Sequence, residues 1–308
     1  ESRPATQMPA FADKLKPDEI KALADWIYTR VEPAPVWGEA EIDASRVVDQ
    51  AALMLPHKPS ADLKGADPMN LFIVVETGDH HVSVLDGDKL ERIHRFPSRY
   101  ALHGGPKYSP DGQFVYFASR DGWITKYDLW NLRVVAETRA GLNTRNAAVS
   151  GDGKWVMVAN YLPHTLVVLD ARDLKLFKLI PVVNAKGDKT SRVSAVYDAA
   201  PRKSFVAALK DVPEVWEISY DPNAEPVAEG LVHGFQYKEG DFKPGFFYPR
   251  RTMLKDYLDD FFFTQSYHEI LGASRTATKG QVIYLDGRKK VADLDLPGMP
   301  HLGSGITW

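Results

Sequence analysis

The amino-acid sequence predicts a mostly β protein, a β-propeller of four-stranded blades that follows a short helical segment. From Leu71 onward the chain consists of short strand patterns separated by turn residues. A Leu-Asp or Tyr-Asp strand ending returns at Asp86, Asp128 and Asp170, which are 42 residues apart each time. The turn sequences SPDG and SGDG precede strands at matching positions of two repeats. A period of about 40–45 residues with four strands per unit is typical of a propeller.

Three clear repeat units and two weaker ones predict about five blades. Each clear unit has a β-rich strand, a polar turn, an alternating strand that ends in Asp, and a third strand. The weaker copies are KSFVAALKDVPEVWEISYD and GQVIYLDGRKKVADLDLPG, and a longer insertion around residues 221–262 separates them. A propeller protects its strand edges by closing into a ring. We therefore expect further blades beyond Trp308, in a ring of about eight.

The segment before the repeats divides into a helix and a linker. Residues 16–31, KPDEIKALADWIYTRV, predict a helix because Pro17 suits a first turn and apolar side chains recur at helical spacing. Residues 32–70 are rich in Pro, Ala and Asp with broken periodicity, which is typical of a linker lying along a surface. The predicted division is therefore residues 1–31, a linker at 32–70, and a propeller at 71–308.

Composition excludes several classes of function. The chain has 308 residues, 44% of them hydrophobic, and its formal net charge of −3 argues against a nucleic-acid-binding face. No apolar run reaches about 18 residues, the length of a membrane span, and no secretory signal is visible. The absence of cysteine excludes disulfides, thiolate catalysis and covalent haem attachment within this stretch. The chain begins at Glu1 and ends inside an apolar run, so we expect a fragment.

Four residues are expected to meet at the propeller axis. Loops that lead into the innermost strands gather at one face of a propeller, and His103, Arg145, Arg192 and His301 lie at such points of successive repeats. Imidazole is a common iron ligand, and guanidinium groups match carboxylates bidentately. The set therefore predicts a site for an iron macrocycle that carries several carboxylates. The two glycines that follow His103 would give such a flat ligand room.

A structural role for His103 is the alternative. Some propellers carry a Gly-His pair whose histidine stabilises the blade, although the order here is His-Gly-Gly. Outside the predicted site, His164 and His268 lie in turn or insertion segments, where solvation is expected. His80 and His81 lie at a turn that leads into an alternating strand, and at least one of them is expected to be exposed.

The stretch YALHGGPKYSPDGQFVYFASRDGWITKYDLWNL resembles the haem d1 propeller family, which includes the cytochrome cd1 nitrite reductases and the proteins that build haem d1. In this resemblance His103 matches the proximal iron ligand of haem d1. Arg120 in SRDG and Arg145 in NTRN match arginines that contact the d1 carboxylates. Tyr161 matches an aromatic position near the macrocycle, and His301 in MPHLGSG matches a distal-side histidine.

The N-terminal stretch MPAFADKLKPDEIKALADWIYT resembles the end of a class I cytochrome c, in which a methionine before the last helix ligates haem iron. Met8 takes that position, so residues 1–31 are predicted to be the C-terminal remnant of a cytochrome c domain. The resemblance implies a covalent haem c that is attached upstream of Glu1. A plain helix after a loop is the alternative interpretation.

Within this family, segments such as NYLPHTLVVLDARDL and LDLPGMPHLGSGITW are most similar to the protein that performs the last step of haem d1 biosynthesis. The resemblance implies dihydro-haem d1 dehydrogenase activity, in which a propionate side chain becomes an acrylate and electrons pass to haem c. His301 would bind or cover the distal iron face, and Arg192 would join the carboxylate-binding arginines. Glu76 replaces an arginine of the nitrite reductases, so its carboxylate is a candidate proton acceptor, although it could equally be exposed.

Two other activities stay open on the sequence alone: a cytochrome cd1-type nitrite reductase that forms nitric oxide, and a non-catalytic carrier or scaffold for haem d1. The resemblance implies as partners a haem d1 precursor, an electron-acceptor protein, and nitrite reductase or other proteins of d1 biosynthesis. It implies a periplasmic location as well.

Overall fold

Antiparallel β-sheets make up most of the protein in its computed structural model, which describes residues 11–29, 32–33, 35–228, 241–276 and 279–295. The chain divides into two units, residues 1–36 and residues 37–308. The second unit contains five successive sheets, which confirms the predicted mostly β, blade-like architecture.

The first unit contains helix α1, Pro17–Ile27, inside the range that the sequence predicted. Proline at the first helical position has no N–H group to leave unsatisfied, and the Glu19 carboxylate accepts a hydrogen bond from the Lys16 backbone N–H at 2.7 Å. Met8 lies outside the described residues. Among the described helices, none combines the length and the apolar character of a membrane-crossing segment.

The short strand β1 is Val47–Val48. The first sheet consists of β2 (Leu71–Glu76), β3 (His81–Asp86) and β4 (Arg92–Pro97). The second consists of β5 (Lys107–Tyr108), β6 (Phe114–Ala118), β7 (Trp123–Asp128) and β8 (Arg133–Arg139). The third sheet is β9 (Asn143–Val149), β10 (Trp155–Leu162), β11 (Thr165–Asp170) and β12 (Leu176–Pro181). The fourth is β13 (Val193–Ala199), β14 (Ser204–Leu209), β15 (Glu214–Ser219) and β18 (Pro249–Met253), with a separate hairpin of β16 (Val227–Ala228) and β17 (Phe242–Lys243). The fifth is β19 (Leu258–Phe263), β20 (Glu269–Ser274), β21 (Lys279–Tyr284) and β22 (Lys289–Asp295).

The repeated aspartates are the last residues of three equivalent strands, β3, β7 and β11. The Oδ1 atoms of Asp86, Asp128 and Asp170 accept hydrogen bonds from backbone N–H groups two or three residues ahead, at 2.8–3.2 Å. Such bonds let a short side chain replace a backbone turn. The 42-residue spacing therefore arises because the same aspartate-stabilised turn recurs in three successive sheets.

The hydrophobic core lies between neighbouring sheets because side chains alternate across each strand. On β11, Val167 and Leu169 pack toward the second sheet, whereas Leu166 and Val168 pack toward the fourth. All four side chains are fully buried. Full burial of a side chain of this size contributes about 1.5–3 kcal/mol.

The segment 37–63, which lies within the predicted linker, packs against the second sheet. It contains helices α2 (Glu39–Ser45) and α3 (Gln50–Leu53), and β1 pairs antiparallel with the outermost strand β8. Ile42 on α2 is fully buried in the core between the second and third sheets. The Trp37 indole N–H donates to the Arg139 carbonyl oxygen at 3.0 Å. Isolated apolar residues thus anchor this segment although its hydrophobic pattern lacks a period.

The predicted insertion at residues 221–262 is wrong in its extent. Strand β18, the last strand of the fourth sheet, lies inside that range, and β19, the first strand of the fifth sheet, begins within it. The sequence PRRTM of β18 alternates weakly and pairs with β15 at an outer edge, where little apolar surface is needed.

Candidate functional site

The predicted site residues that the structure describes lie at one end of the strands, which we call the site end. It is the end at which β6, β10 and β14 finish and β9, β13 and β19 begin. His103 is held there because its backbone N–H donates to the Ala118 carbonyl oxygen at 2.8 Å. Arg120 and Tyr161 come from hairpins or strand ends of two neighbouring sheets. The structure therefore brings described residues from successive repeats together at this end, whereas the predicted convergence with His301 involves a residue outside the described ranges.

The His103 imidazole is oriented by the backbone of the third sheet. Its Nδ1 atom lies 3.0 Å from the Arg145 carbonyl oxygen. A carbonyl oxygen can only accept a hydrogen bond, so this contact favours a proton on Nδ1, whereas the guanidinium donor Arg145 Nη1 at 2.9 Å favours a lone pair there. A metal-ligating histidine needs the first of these tautomers, with Nε2 toward the metal and the other ring nitrogen held by a hydrogen bond.

Two guanidinium groups surround the same imidazole. Arg120 Nη2 and Arg145 Nη1 each lie 3.2 Å from His103 Nε2, and Arg145 Nη1 lies 2.9 Å from Nδ1. Burial lowers the pKa of Arg120, and the charge of Arg145 lowers it further. Because two cations are close together in a partly buried place, an anionic ligand such as a carboxylate would be stabilised here.

Tyr161 forms the centre of a second group of cations. The guanidinium carbons of Arg120 and Arg192 lie 5.6 Å and 5.4 Å from its ring centroid, and the Lys210 ammonium lies 5.0 Å from it. The Lys210 ammonium donates a hydrogen bond to the Tyr161 hydroxyl oxygen at 2.8 Å. Cations at this distance are attracted to the face of an aromatic ring. The aromatic and basic residues therefore form one continuous surface.

Two of the cations in this second group are paired with carboxylates. Arg192 donates bidentately to Asp211, at 2.9 Å from Nε and 2.6 Å from Nη2, and Asp211 raises the pKa of Arg192. Lys210 and Arg275 both lie near Asp259, at 3.4 Å and 3.2 Å. The predicted carboxylate-binding role of Arg192 therefore competes with its own ion pair.

Lys210 was missed in the sequence analysis, although the repeat contains a signal for it. It follows directly on β14, as Arg275 follows on β20, and Arg120 stands two residues after β6. Aligning the hairpins SRD and LKD would have placed Lys210 beside Arg120.

A cavity of about 270 Å³ opens beside His103 and is lined by the two glycines and by Val75, Thr77 and Phe117. Gly104 has φ +86°, and a Cβ atom there would lie 2.6 Å from the Asn146 Cβ atom. Only glycine fits both requirements. Within the described ranges, no three His, Asp or Glu side chains converge as a metal site. His103 is the candidate iron ligand among the described residues, and one histidine from this part of the chain suits an iron that a macrocycle already holds.

Glu76 lies apart from this cluster. Its neighbours Val75 and Thr77 line the cavity, whereas the Glu76 carboxylate accepts hydrogen bonds from Arg95 at 2.8–3.3 Å and from Ser83 at 2.5 Å. Arg95 and then Ser83 lower the pKa of Glu76 to about 2. Such a carboxylate is a poor proton acceptor near neutral pH. The geometry therefore gives no support to the predicted catalytic role of Glu76.

The other histidines in question differ in exposure: two are at exposed positions, His80 is partly buried, and His301 lies outside the described residues. His164 bonds to Thr190 at 2.7 Å and His268 to Asp286 at 2.6 Å, both at exposed positions. His80 packs edge-on against Tyr100 at 4.5 Å. His301, the predicted distal residue, lies outside the described residues.

Comparison with known proteins agrees with this geometry. The description Cytochrome D1 heme domain belongs to the family model that matches residues 66–308. Dihydro-heme d1 dehydrogenase of Pseudomonas aeruginosa is 55% identical over 306 residues, which is 99% of this chain and 57% of that protein. Protein NirF of the same organism is 34% identical over 159 residues, or 51% of this chain and 40% of that protein.

Among solved structures, Dihydro-heme d1 dehydrogenase NirN in complex with DHE superposes with a TM-score of 0.82 at 55% identity, over 99% of this chain and 60% of that chain. This chain therefore spans little more than half the length of the dehydrogenase that it matches. The family match covers all five sheets and every described site residue. The chain belongs to the cytochrome D1 heme domain family.

Proposed function

We propose that the protein binds dihydro-haem d1 through His103 and the surrounding cations, and that it oxidises a propionate side chain of this substrate to an acrylate. The proposal includes a covalent haem c in the full-length protein, with Met8 as its axial ligand, and a periplasmic location. A haem d1 precursor is the substrate, and an electron-acceptor protein and other proteins of d1 biosynthesis are the proposed partners.

The observation that carries the proposal is the set of contacts around His103. A histidine whose Nδ1 lies 3.0 Å from a backbone carbonyl oxygen, two guanidinium groups within 3.2 Å of its ring, and a glycine-lined cavity suit an iron macrocycle with peripheral carboxylates. The 55% identity to a protein named as a dihydro-heme d1 dehydrogenase supports the choice of substrate.

Each group in the site has a distinct task in this proposal. His103 would ligate the substrate iron through Nε2 while the Arg145 carbonyl oxygen holds the ring orientation. Arg120 and Arg145 would bind carboxylates and so fix the position of the reacting side chain. Tyr161 and Lys210 would form the adjoining wall, with the Tyr161 ring available for packing against the macrocycle.

The reaction breaks two C–H bonds of the propionate, forms one C=C bond, and releases two protons and two electrons. A covalent haem c would take these two electrons one at a time and pass them to the proposed electron-acceptor protein. Positioning is the contribution of the described residues, since fixed substrate geometry alone lowers a barrier by several kcal/mol, up to about 7–11 kcal/mol. We keep His301 as the proposed residue on the distal side of the iron.

The test is anaerobic incubation of the purified full-length protein with dihydro-haem d1 and an electron acceptor, followed by mass spectrometry of the tetrapyrrole. A product that is two hydrogen atoms lighter is expected. The His268→Ala variant should retain this activity and His103→Ala should lose it, because only His103 belongs to the site.

The alternatives give different results in the same experiment. Binding without a change of mass would indicate a carrier or scaffold. Nitric oxide formation from nitrite would indicate a nitrite reductase. Either result, without the lighter product, would overturn the proposed dehydrogenase activity.

A further inference from the structure

A buried carboxylate lies directly behind the candidate site. Asp260 is on β19, the first strand of the fifth sheet, and its side chain is only 5% exposed. An ionised carboxylate is costly to remove from water unless hydrogen bonds and an opposite charge compensate it. The partners of Asp260 therefore indicate why this residue is placed there.

Three groups from two other sheets and its own strand hold Asp260. The Tyr197 hydroxyl and the Phe261 backbone N–H each donate to Oδ1 at 2.9 Å. Arg145 Nη2 lies 3.8 Å from Oδ2, and the Arg145 side chain is 11% exposed. Burial and the charge of Asp260 raise the pKa of Tyr197, so its hydroxyl stays a donor. These contacts connect β19 with β13 and β9.

The charge of Asp260 faces a group of cations that would otherwise repel each other. Arg145 and Arg120 approach the same imidazole, and their charges oppose each other. The Lys107 ammonium donates to the Gly104 carbonyl oxygen at 2.8 Å; burial lowers the pKa of Lys107, and Asp260 acts in the opposite direction. A fixed negative charge on the far side of Arg145 would keep its guanidinium close to Arg120.

We propose that Asp260 is a positioning residue that holds the Arg145 guanidinium beside His103, with Tyr197 fixing the orientation of Asp260. Its effect on the ligand passes through Arg145 and requires no direct contact. The inference rests on the proposed function, because Arg145 is the residue that would bind a substrate carboxylate. It gives the fifth sheet a role in a site whose other described contacts to His103 come from the second and third sheets.

A double-mutant cycle tests this inference. The dissociation constant of dihydro-haem d1 is measured by absorption titration for the full-length protein, for Asp260→Asn, for Arg145→Ala and for the double variant. Asp260→Asn should weaken binding about tenfold in the wild-type background. It should change binding less than twofold when Arg145 is already absent, because interacting residues are not additive. Equal losses in both backgrounds would overturn the inference.

A second ligand separates positioning from a merely structural role. The methyl ester of dihydro-haem d1 offers no carboxylate to Arg145, so Asp260→Asn should alter its affinity less than twofold. Equal weakening of acid and ester would show general damage to the site instead. The control is Asp293→Asn, which removes an exposed carboxylate from the outermost strand of the same sheet and should leave both affinities unchanged.

Two further measurements keep the inference testable if a variant or the ligand fails. Tyr197→Phe removes only the hydroxyl that donates to Asp260, and it should weaken binding about threefold with the same dependence on Arg145. If the wild-type protein does not bind the tetrapyrrole, the proposed function fails. In that case the free energy of unfolding of the same four proteins, measured in urea, tests the coupling between Asp260 and Arg145. The two substitutions should not be additive in their effect on stability, and additive losses would overturn the inference.

Discussion

The strands of the second and third sheets carry charged side chains at both ends, and the two ends use them differently. At the end opposite the site, which we call the turn end, the Lys126 ammonium donates to the carbonyl oxygens of Ala171 and Arg172 at 2.8 Å and 3.0 Å and lies 3.7 Å from the Phe114 ring centroid. Asp128 accepts hydrogen bonds from the following turn and from Gln113. These charges stabilise the connections between strands.

At the site end, Arg120 lies against neutral groups, the His103 imidazole and the Tyr161 ring. Its positive charge is therefore available to an anion. The turn end has the larger cavity, about 550 Å³ compared with about 270 Å³ beside His103. Among the described residues, a charge such as that of Arg120, which has no carboxylate within ion-pair distance, is what makes the site end the candidate functional end, rather than the volume of a cavity.

The largest expected effect is at the site end. His103→Ala should weaken binding of dihydro-haem d1 more than 100-fold, about 2.7 kcal/mol, because the iron loses its protein ligand. Absorption titration measures the loss. His268→Ala at the turn end is the matched control and should bind normally, since its imidazole bonds only to exposed Asp286. An unchanged absorption spectrum of the ligand bound to His103→Ala would contradict the assignment of the ligand to the site end.

At the turn end, substitutions should lower the stability of the fold and leave ligand binding unchanged. Lys126→Met should lower the free energy of unfolding by about 2 kcal/mol, because two carbonyl oxygens lose a buried donor. Urea unfolding measures this change, and ligand affinity should stay within twofold of wild type. Lys154→Met is the control, since that side chain is 72% exposed. A loss of affinity without a loss of stability would place Lys126 in the binding machinery.

Two lysines of the fourth sheet, one at each end, allow the ligand affinities of matched variants to be compared, and Lys210→Met is the variant at the site end. It should weaken binding of the carboxylate-bearing substrate about tenfold, or 1.4 kcal/mol, and the loss should shrink as salt is added. Lys203→Met, a lysine at the turn end of the same sheet that pairs with Asp221 at 2.9 Å, should not change the affinity. Titrations at two ionic strengths test both variants. Equal affinities for the two variants would exclude Lys210 from the site.

The smallest effect is a pH dependence at the turn end. Burial raises the pKa of Asp198 from 3.8 to about 6. The folded chain therefore binds more protons than the unfolded chain between these values, so this carboxyl lowers stability as the pH rises from about 4 to about 6. Asp198→Asn should stabilise the protein by about 1 kcal/mol at pH 7 and by less at pH 4.5. Urea unfolding at both pH values measures this, with exposed Asp188→Asn as the control; a larger gain at pH 4.5 would contradict it.

The sheets and much of the site were predictable because both follow from local signals. Alternation and turn aspartates recur every 42 residues, and each repeat places equivalent positions at the same strand end. The repeat positions therefore grouped His103 with Arg145 and Arg192, whereas Arg120 and Tyr161 entered the predicted site through the resemblance to the haem d1 propeller family. The roles of His301 and Met8 stay predictions.

Other features depend on partners that are distant in the sequence. Asp260 gains its importance from Tyr197, 63 residues away, and from Arg145, which no local pattern records. Glu76 had a plausible position in the sequence, yet its carboxylate is engaged by Arg95 on another strand. Side-chain pairing across strands decides such cases, and a single sequence gives the strands but leaves these pairs open.

Strand β1 has a consequence for how the propeller region behaves when it is isolated. Val47 and Val48 pair with Glu137 and Ala136 and so cover the outer edge of β8. A chain shortened to the family boundary at residue 66 would expose that row of backbone donors and acceptors to other molecules. Self-association in solution, rather than loss of the candidate site residues, would then limit the use of the shortened protein.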